Sequence, residues 1–226
     1  MQRETLLESL RRFPGDPGTI QRLAHELEIK SEWPLMLEVL EQQLPHVKSG
    51  TQAEAQVTYL MAKASLELGH ERRALALIGR SLLLRPDFAF SHHIKGRALS
   101  RMQRFLEAIT AQQRCVELAP GFCWGWFELG SLQRDQGALS EARQSLRRAL
   151  ALQPPQDGFH FRLIRGVLAE VEGQFRQQER QEAARSLWPD RPLPRLGERL
   201  SSLDEMELEL EQFALFLNAL EPSPER

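Results

Sequence analysis

An all-α stack of repeated helical pairs is the fold this sequence predicts, and three sets of residues predict it. Pro86, Pro120 and Pro154 stand 34 residues apart. Ala74, Ala108 and Ala142 keep the same interval, and so do Gly96 and Gly130. A fixed period of this length, held without insertion over about 100 residues, means like units stacked on one another rather than one globular core.

Each set has a physical task. Ala62, Gly96 and Gly130 are small, so the two helices of a unit can approach closely. Ala74, Ala108 and Ala142 do the same from the second helix. Gly69 and Gly137 fall between the helices, where a chain reversal needs a permissive backbone. The prolines end each second helix, since proline cannot continue it. The repeats so defined are 55–86, 89–120 and 123–154, within a segment 51–154.

The third repeat reads Trp126-x2-Leu129-Gly130-x2-Gln133, then Ala142-x3-Leu146, then Pro154. The second reads His92-x2-Lys95-Gly96-x2-Leu99, Ala108-x3-Gln112, Pro120. The first reads Thr58-x2-Met61-Ala62-x2-Ser65, Ala74-x3-Ile78, Pro86. This resembles the tetratricopeptide repeat, W-x2-L-G-x2-Y…A-x3-F…P, with Gln133 at the tyrosine position. The resemblance implies a right-handed helical solenoid, an α-α superhelix.

The flanks are degenerate, as terminal repeats tend to be. In 1–50, Ile20-x2-Leu23-Ala24-x2-Leu27 reads as a first helix and 32–44 as its partner, with Pro34 in the first turn. Residues 2–12, stopped by Pro14-Gly15-Asp16-Pro17, read as the second helix of a unit that lacks its first. His46–Gln52 lengthens the spacing between units, which predicts a small kink. Segment 155–188 reads as a degenerate repeat with two helical stretches around Gly173.

The C-terminal part differs. Trp188-Pro-Asp-Arg-Pro-Leu-Pro194 is proline-rich, and 189–201 reads as a stiff linker. Ser202-x-x-Glu205 is a capping box that opens an amphipathic helix, 202–221. Leu203, Met206, Leu210, Phe213, Leu217 and Leu220 form its a/d stripe, with Asp204, Glu205, Glu207, Glu209 and Glu211 on the other face. Three roles are open to it. It caps the apolar end of the stack, pairs with a second copy as a homodimer seam through that stripe, or lays an acidic face in the protein's own groove.

Bulk properties exclude more than they assign. The chain has 29 basic and 31 acidic residues and a net charge of −2, so nothing drives it towards nucleic acid or anionic lipid. The segment MQRETLLESLRRF interleaves charge with leucine, so no secretory signal is expected. No run approaches the ~20 apolar residues that would span a bilayer. The two cysteines, Cys115 and Cys123, form no CxxC pair. A soluble, cytoplasmic protein that needs no cofactor and no membrane is expected.

No catalytic motif is present: there is no GxSxG, GxxxxGK[ST], HExxH or GxGxxG. His92 and His93 are adjacent, so on a helix they point about 100° apart and do not share a metal readily. His92 occupies the aromatic slot of its repeat and is expected to pack. Both cysteines are expected to be buried and inert. The reading is therefore a non-enzyme.

In the family the sequence resembles, first helices line a concave groove in which peptides lie. Carried onto this chain, the groove-facing positions are Gln56, Tyr59, Lys63 and Glu67; Phe90, His93, Arg97 and Arg101; Trp124, Phe127, Ser131, Arg134 and Asp135; and Phe161 and Arg165. The expected site is an aromatic and basic wall of Tyr59, Lys63, Phe90, His93, Arg97, Arg101, Trp124, Phe127, Arg134, Phe161 and Arg165. Aromatic rings with arginines are common interface hot spots, and they suit a protein or peptide partner with acidic and apolar residues.

Chaperone-binding relatives hold a terminal carboxylate with a Lys and an Asn on one helix, an Asn on the next, and a Lys and an Arg on the third. The aligned slots hold Tyr59, Lys63, Ile94, Trp124 and Glu128. One repeat upstream they hold Gln21, His25, Leu60, Phe90 and Ile94, and one downstream His93, Arg97, Glu128, Gly158 and Arg162. None fits a carboxylate clamp.

The sequence thus reads as a scaffold or adaptor. Two other readings stay open at this level. One is an accessory or substrate-recruiting subunit of a bacterial transferase system. The other is an RNA-binding helical repeat, disfavoured by neutral charge and by basic runs no longer than two residues.

Overall fold

The computed structural model describes residues 2–153 and 158–187. Among these, every regular element is helical. α1 is Gln2–Arg12, α2 Pro17–Ile29, α3 Trp33–Gln43, α4 Gln52–Glu67, α5 Glu71–Leu84, α6 Ala89–Arg101, α7 Phe105–Leu118, α8 Cys123–Asp135, α9 Leu139–Leu152 and α10 Gly158–Leu187. The chain divides into two compact units, Met1–Arg165 and Gly166–Arg226. Pro154, the linker 189–201 and the helix expected over 202–221 lie outside the described residues.

The first unit is a stack of antiparallel pairs. α4 packs on α5, α6 on α7 and α8 on α9, and each second helix also packs on the next first helix. First helices touch one another as well: α2 meets α4, α4 meets α6 and α6 meets α8. The all-α helical-repeat solenoid expected from the 34-residue period is therefore the observed fold.

Why the pairs turn where they do is visible in the backbone. Ser31, Gly69, Gln103 and Gly137 have positive φ, of 55°, 77°, 60° and 76°. Each sits just past the end of a first helix. The next residue's N–H reaches back to a carbonyl in the helix: Glu32 to Leu27, His70 to Ser65, Arg104 to Leu99, and Ala138 to Gln133, all at 2.8–2.9 Å. This is the Schellman closure, which satisfies carbonyls a helix end would otherwise orphan. Gly69, Gln103 and Gly137 keep the 34-residue interval, and Ser31 marks the same turn one unit upstream. The wider gap between Ser31 and Gly69 holds a short 3-10 turn, Leu44–His46, before Thr51 caps α4.

Gln103 is the one of these turns without a small side chain. A left-handed residue with a Cβ is strained, and glycine relieves that strain at some entropic cost. Gln103→Gly is expected to stabilise the protein by about 0.5–1 kcal/mol in urea unfolding. Loss of stability would show that the Gln103 side chain contributes more than the strain removes.

Close approach within pairs follows the small residues. A Cβ on Gly130 would lie 2.7 Å from Cγ of Leu146 and 3.2 Å from the carbonyl oxygen of Ala142. A Cβ on Gly96 would lie 2.7 Å from the Gln112 amide. Ala62, Ala74, Ala108 and Ala142 are all fully buried. Second helices α5, α7 and α9 are amphipathic and bury one stripe, as in Ala142, Ser145, Leu146 and Ala149. α4, held between neighbours, buries ten of its residues and leaves a narrow stripe free.

Inter-repeat joints carry a second recurring device. The Trp126 ring N–H donates to the Pro120 carbonyl at 2.9 Å, and the His92 Nε2 makes the equivalent contact with the Pro86 carbonyl at 2.9 Å. The aromatic slot thus ties a first helix to the proline that ended the preceding one. His92 is half-buried in this role, as the packing reading expected.

Glu54 is a buried carboxylate at the start of α4. It accepts from the Gly50 N–H at 2.7 Å and from Nε of Arg80 at 2.6 Å. The Gly50 bond, then the Arg80 guanidinium, holds its pKa below the ordinary 4.5 against the opposing effect of burial. A depressed folded pKa gives stability that is present above the unfolded value and lost as pH falls through the folded one. Glu54→Gln is therefore expected to flatten the loss of thermal stability below about pH 4.5, with little change of slope above it.

One expectation is corrected. Segment 158–187 is not two helices around Gly173 but one helix, α10. A glycine inside a helix costs only about 1 kcal/mol, and the surrounding residues are mostly good helix formers without a proline.

Candidate functional site

The stripe that α4, α6 and α8 leave free borders a groove of about 620 Å³ in the first unit. Its walls are Glu28 of α2, Trp33 of α3, Tyr59, Lys63 and Glu67 of α4, Phe90, His93, Ile94 and Arg97 of α6, then Phe122, Trp124 and Glu128. Residues four apart on each helix supply the pattern, because i and i+4 share a face.

Six of the expected wall residues come together here: Tyr59, Lys63, Phe90, His93, Arg97 and Trp124. Arg101, Phe127, Arg134, Phe161 and Arg165 do not line the groove. Arg101 is drawn to Glu67 at 3.5 Å and to the Leu66 carbonyl. Phe127 lies edge-on against Trp124, ring centroids 5.5 Å apart. Arg134 pairs with Asp135 at 2.8 Å, and the Arg165 guanidinium stands 6.0 Å over Phe161.

The aromatic wall is a ladder of packed rings. Tyr59 meets Phe88 at 5.0 Å, Phe88 meets Phe90 at 5.7 Å, Phe90 meets Phe122 at 5.1 Å, and Phe122 meets His93 at 5.1 Å. All are edge-to-face, the arrangement favoured by ring quadrupoles. Trp124 continues the surface and meets His160 at 4.9 Å. Phe90, 41% exposed, offers the most open ring of the ladder.

Phe88 and Phe122 were not singled out from the sequence. They stand at the N-caps of α6 and α8, and the signal that finds them is the 34-residue interval itself. Glu28 and Trp33 were also missed, and Ile94 and Glu128, named only as clamp slots, were not placed on the expected wall.

Charge in the groove is paired across repeats. Lys63 is hydrogen-bonded to Glu28. Arg97 lies 2.8 Å from Glu67 and 3.8 Å from Glu128. Lys63 and Arg97 of the expected basic wall are thus held by acidic residues of adjacent first helices.

Burial sets the protonation of the wall. It pushes the Tyr59 phenol upward, helped by Glu28, so the ring stays neutral. It pushes His93 down to about 4, leaving a neutral imidazole at physiological pH. Gln112 orients that imidazole, meeting Nδ1 at 3.2 Å and donating to the His93 carbonyl at 3.2 Å. Burial raises the Glu128 carboxyl, and Arg97 and Arg101 oppose the rise.

The five slots tested for a carboxylate clamp, Tyr59, Lys63, Ile94, Trp124 and Glu128, all line this groove. Their chemistry is aromatic, apolar and charge-balanced. Of the thiols, Cys115 is buried and its pKa is pushed up to about 12 by that burial. Cys123 is half-buried and its Sγ donates to the Ala149 carbonyl at 3.3 Å. Among the described residues no cluster of His, Cys, Asp or Glu could hold a metal ion, and no helix is long and apolar enough to cross a membrane.

Stacked helical pairs, Schellman turns at a fixed interval and a groove walled by first helices define a helical-repeat protein. Residues 91–122 and 125–156 match the family model for the tetratricopeptide repeat. These two segments of the chain are tetratricopeptide repeats. No curated protein sequence matches the chain.

Among solved structures, the crystal structure of MamA is similar, at 18% identity and a TM-score of 0.54 over 66% of this chain and 85% of that one. The first repeat domain of Spaghetti (RPAP3), bound to the HSP90 peptide SRMEEVD, is 17% identical. Its TM-score is 0.51 over 55% of this chain and 98% of that one. YrrB, described as a tetratricopeptide-repeat protein with an unusual peptide-binding site, is 16% identical with a TM-score of 0.50, over 67% and 76%. At these identities the likeness is one of fold.

Proposed function

We propose that the chain is a non-enzymatic scaffold or adaptor that binds a segment of another protein in the groove of α4, α6 and α8. The observation that carries this reading is the set of rings at the groove wall, Tyr59, Phe90, Phe122 and His93, backed by the buried Phe88 and extended by Trp124. Rigid rings present a large contact area at small entropic cost, and such residues dominate binding energy at protein interfaces. Peptide binding by the RPAP3 domain and the site named for YrrB support the reading by analogy of fold.

Tyr59, Phe90, His93 and Trp124 form the proposed contact surface, with Lys63 and Arg97 fixing its polar edge. The acidic and apolar partner expected from the sequence rested on aromatic rings set among basic side chains. Lys63 is engaged by Glu28 and Arg97 by Glu67, so apolar contact is the proposed main source of affinity.

A photo-crosslinking amino acid at position 90, compared with one at Leu106 on α7, tests this. Leu106 is 76% exposed and lies outside the groove. Partners crosslinked from position 90 and absent from position 106 are expected. Equal capture from both positions would refute the groove as the binding face.

A further inference from the structure

The groove is lined by three carboxylates, Glu28, Glu67 and Glu128, against two basic side chains, Lys63 and Arg97. Glu67 receives two guanidinium groups, Arg97 at 2.8 Å and Arg101 at 3.5 Å. Glu28 is taken up by Lys63. Glu128 has one ion-pair contact within 4 Å among the described residues, the Nε of Arg97 at 3.8 Å, with Arg101 acting on it from farther away. That distance is beyond a hydrogen bond, so no protein donor fills the acceptor sites of this carboxylate, which is partly withdrawn from water. Burial raises its pKa and the charge of Glu67 adds to the rise, which Arg97 and Arg101 oppose without cancelling. No basic residue that lines the groove stands comparably free, since Lys63 and Arg97 each have a nearer carboxylate.

Glu128 also has aromatic company. Trp124 lies one helical turn before it on α8, and Phe90 and Phe122 line the same groove. A carboxylate beside aromatic faces complements a side chain with an apolar stem and a positive head. An acidic side chain at this place would meet Glu128 as a like charge and would have to take Arg97 from Glu67.

We propose that the α8 end of the groove accepts a lysine or arginine of the partner segment, its charge on Glu128 and its stem along Trp124 and Phe90. This rests on the groove reading above and reverses the charge that the sequence alone suggested for the partner.

The test uses random dodecapeptides displayed on phage and selected against the full chain. Enrichment of Lys or Arg beside apolar residues is expected. For the selected peptides, Glu128→Gln is expected to weaken binding about ten-fold or more, the size of a lost charge-assisted contact. Glu128→Lys is expected to shift a fresh selection towards Asp and Glu, with helicity by circular dichroism unchanged in both variants.

Enrichment of acidic residues, absence of any charge preference, or binding that survives Glu128→Gln within about two-fold overturns the assignment. Those outcomes leave the groove reading standing when the peptides still lose affinity on Phe90→Ala. Peptides indifferent to Phe90→Ala, or a selection that yields no binder, overturn the groove reading and this assignment with it.

Discussion

Gly130→Val is expected to destabilise the stack by about 3 kcal/mol, at the upper end for overpacking a closed interface. Even a single Cβ at Gly130 meets Leu146 at 2.7 Å and the backbone oxygen of Ala142 at 3.2 Å. Leu146 is fully buried and Ala142 is main chain, so neither yields cheaply. α8 and α9 would have to separate, and each repeat is held only by its neighbours. The measurement is urea unfolding followed by circular dichroism, with hydrogen exchange to locate the damage. Exchange should rise first in α8 and α9.

Two comparisons make the result specific. Gly130→Ala combined with Leu146→Ala should cost less than the sum of the two single changes, because the second removes the atom that the first strikes. Gly79→Ala lies in an exposed turn of α5 with nothing within 4 Å of the added carbon. It should stabilise slightly, by about 0.5–1 kcal/mol, through helix propensity. A Gly130→Val protein as stable as the wild type would mean that α8 and α9 do not need to meet as closely as they do.

The clash at Gly130 also explains why the fold was legible. A period survives in sequence where one residue type is the only cheap answer to a local demand. Glycine at 130, alanine at 74, 108 and 142, and proline at 86 and 120 meet such demands in the stack. The turn at Gln103 was harder to read, because its Schellman closure is made by backbone bonds that any residue can accept at modest strain. The long run of α10 was hidden by Gly173, which looks like a turn residue yet has an ordinary helical backbone.

The site was legible in part. Helical spacing from the small-residue slot put Tyr59, Lys63, Phe90, His93, Arg97 and Trp124 on one wall. It did not separate ring ladder from free surface. Phe88 and Phe122 sit at N-caps, outside the helical frame that was used to choose residues, although they repeat with the period. Nor did spacing foresee the charge state of the groove. Lys63 with Glu28, and Arg97 with Glu67 and Glu128, pair across units. Such pairs depend on where long side chains swing once neighbouring helices are in place, which a single helix does not encode.

Phe90→Ala with Trp124→Ala is expected to weaken binding of the partner by at least about 100-fold, as the loss of two hot-spot rings would. Some of the effect on the free protein must be separated out. Phe90 has edge contacts to Phe88 and Phe122, and Trp124 to Phe127 and His160. Each such pair is worth about 0.5–1.5 kcal/mol, so the double variant should also melt a few degrees lower. Affinity is therefore to be read by calorimetry well below that transition, where the variant is folded. Phe90→Leu with Trp124→Phe keeps much of the apolar area and should recover most of the affinity. Leu83→Ala and Leu106→Ala remove side chains that are 84% and 76% exposed outside the groove, and should leave affinity unchanged. If the outer leucines matter and the rings do not, the partner binds the outer helices, and the ladder from Tyr59 to His93 serves only to hold successive repeats in register.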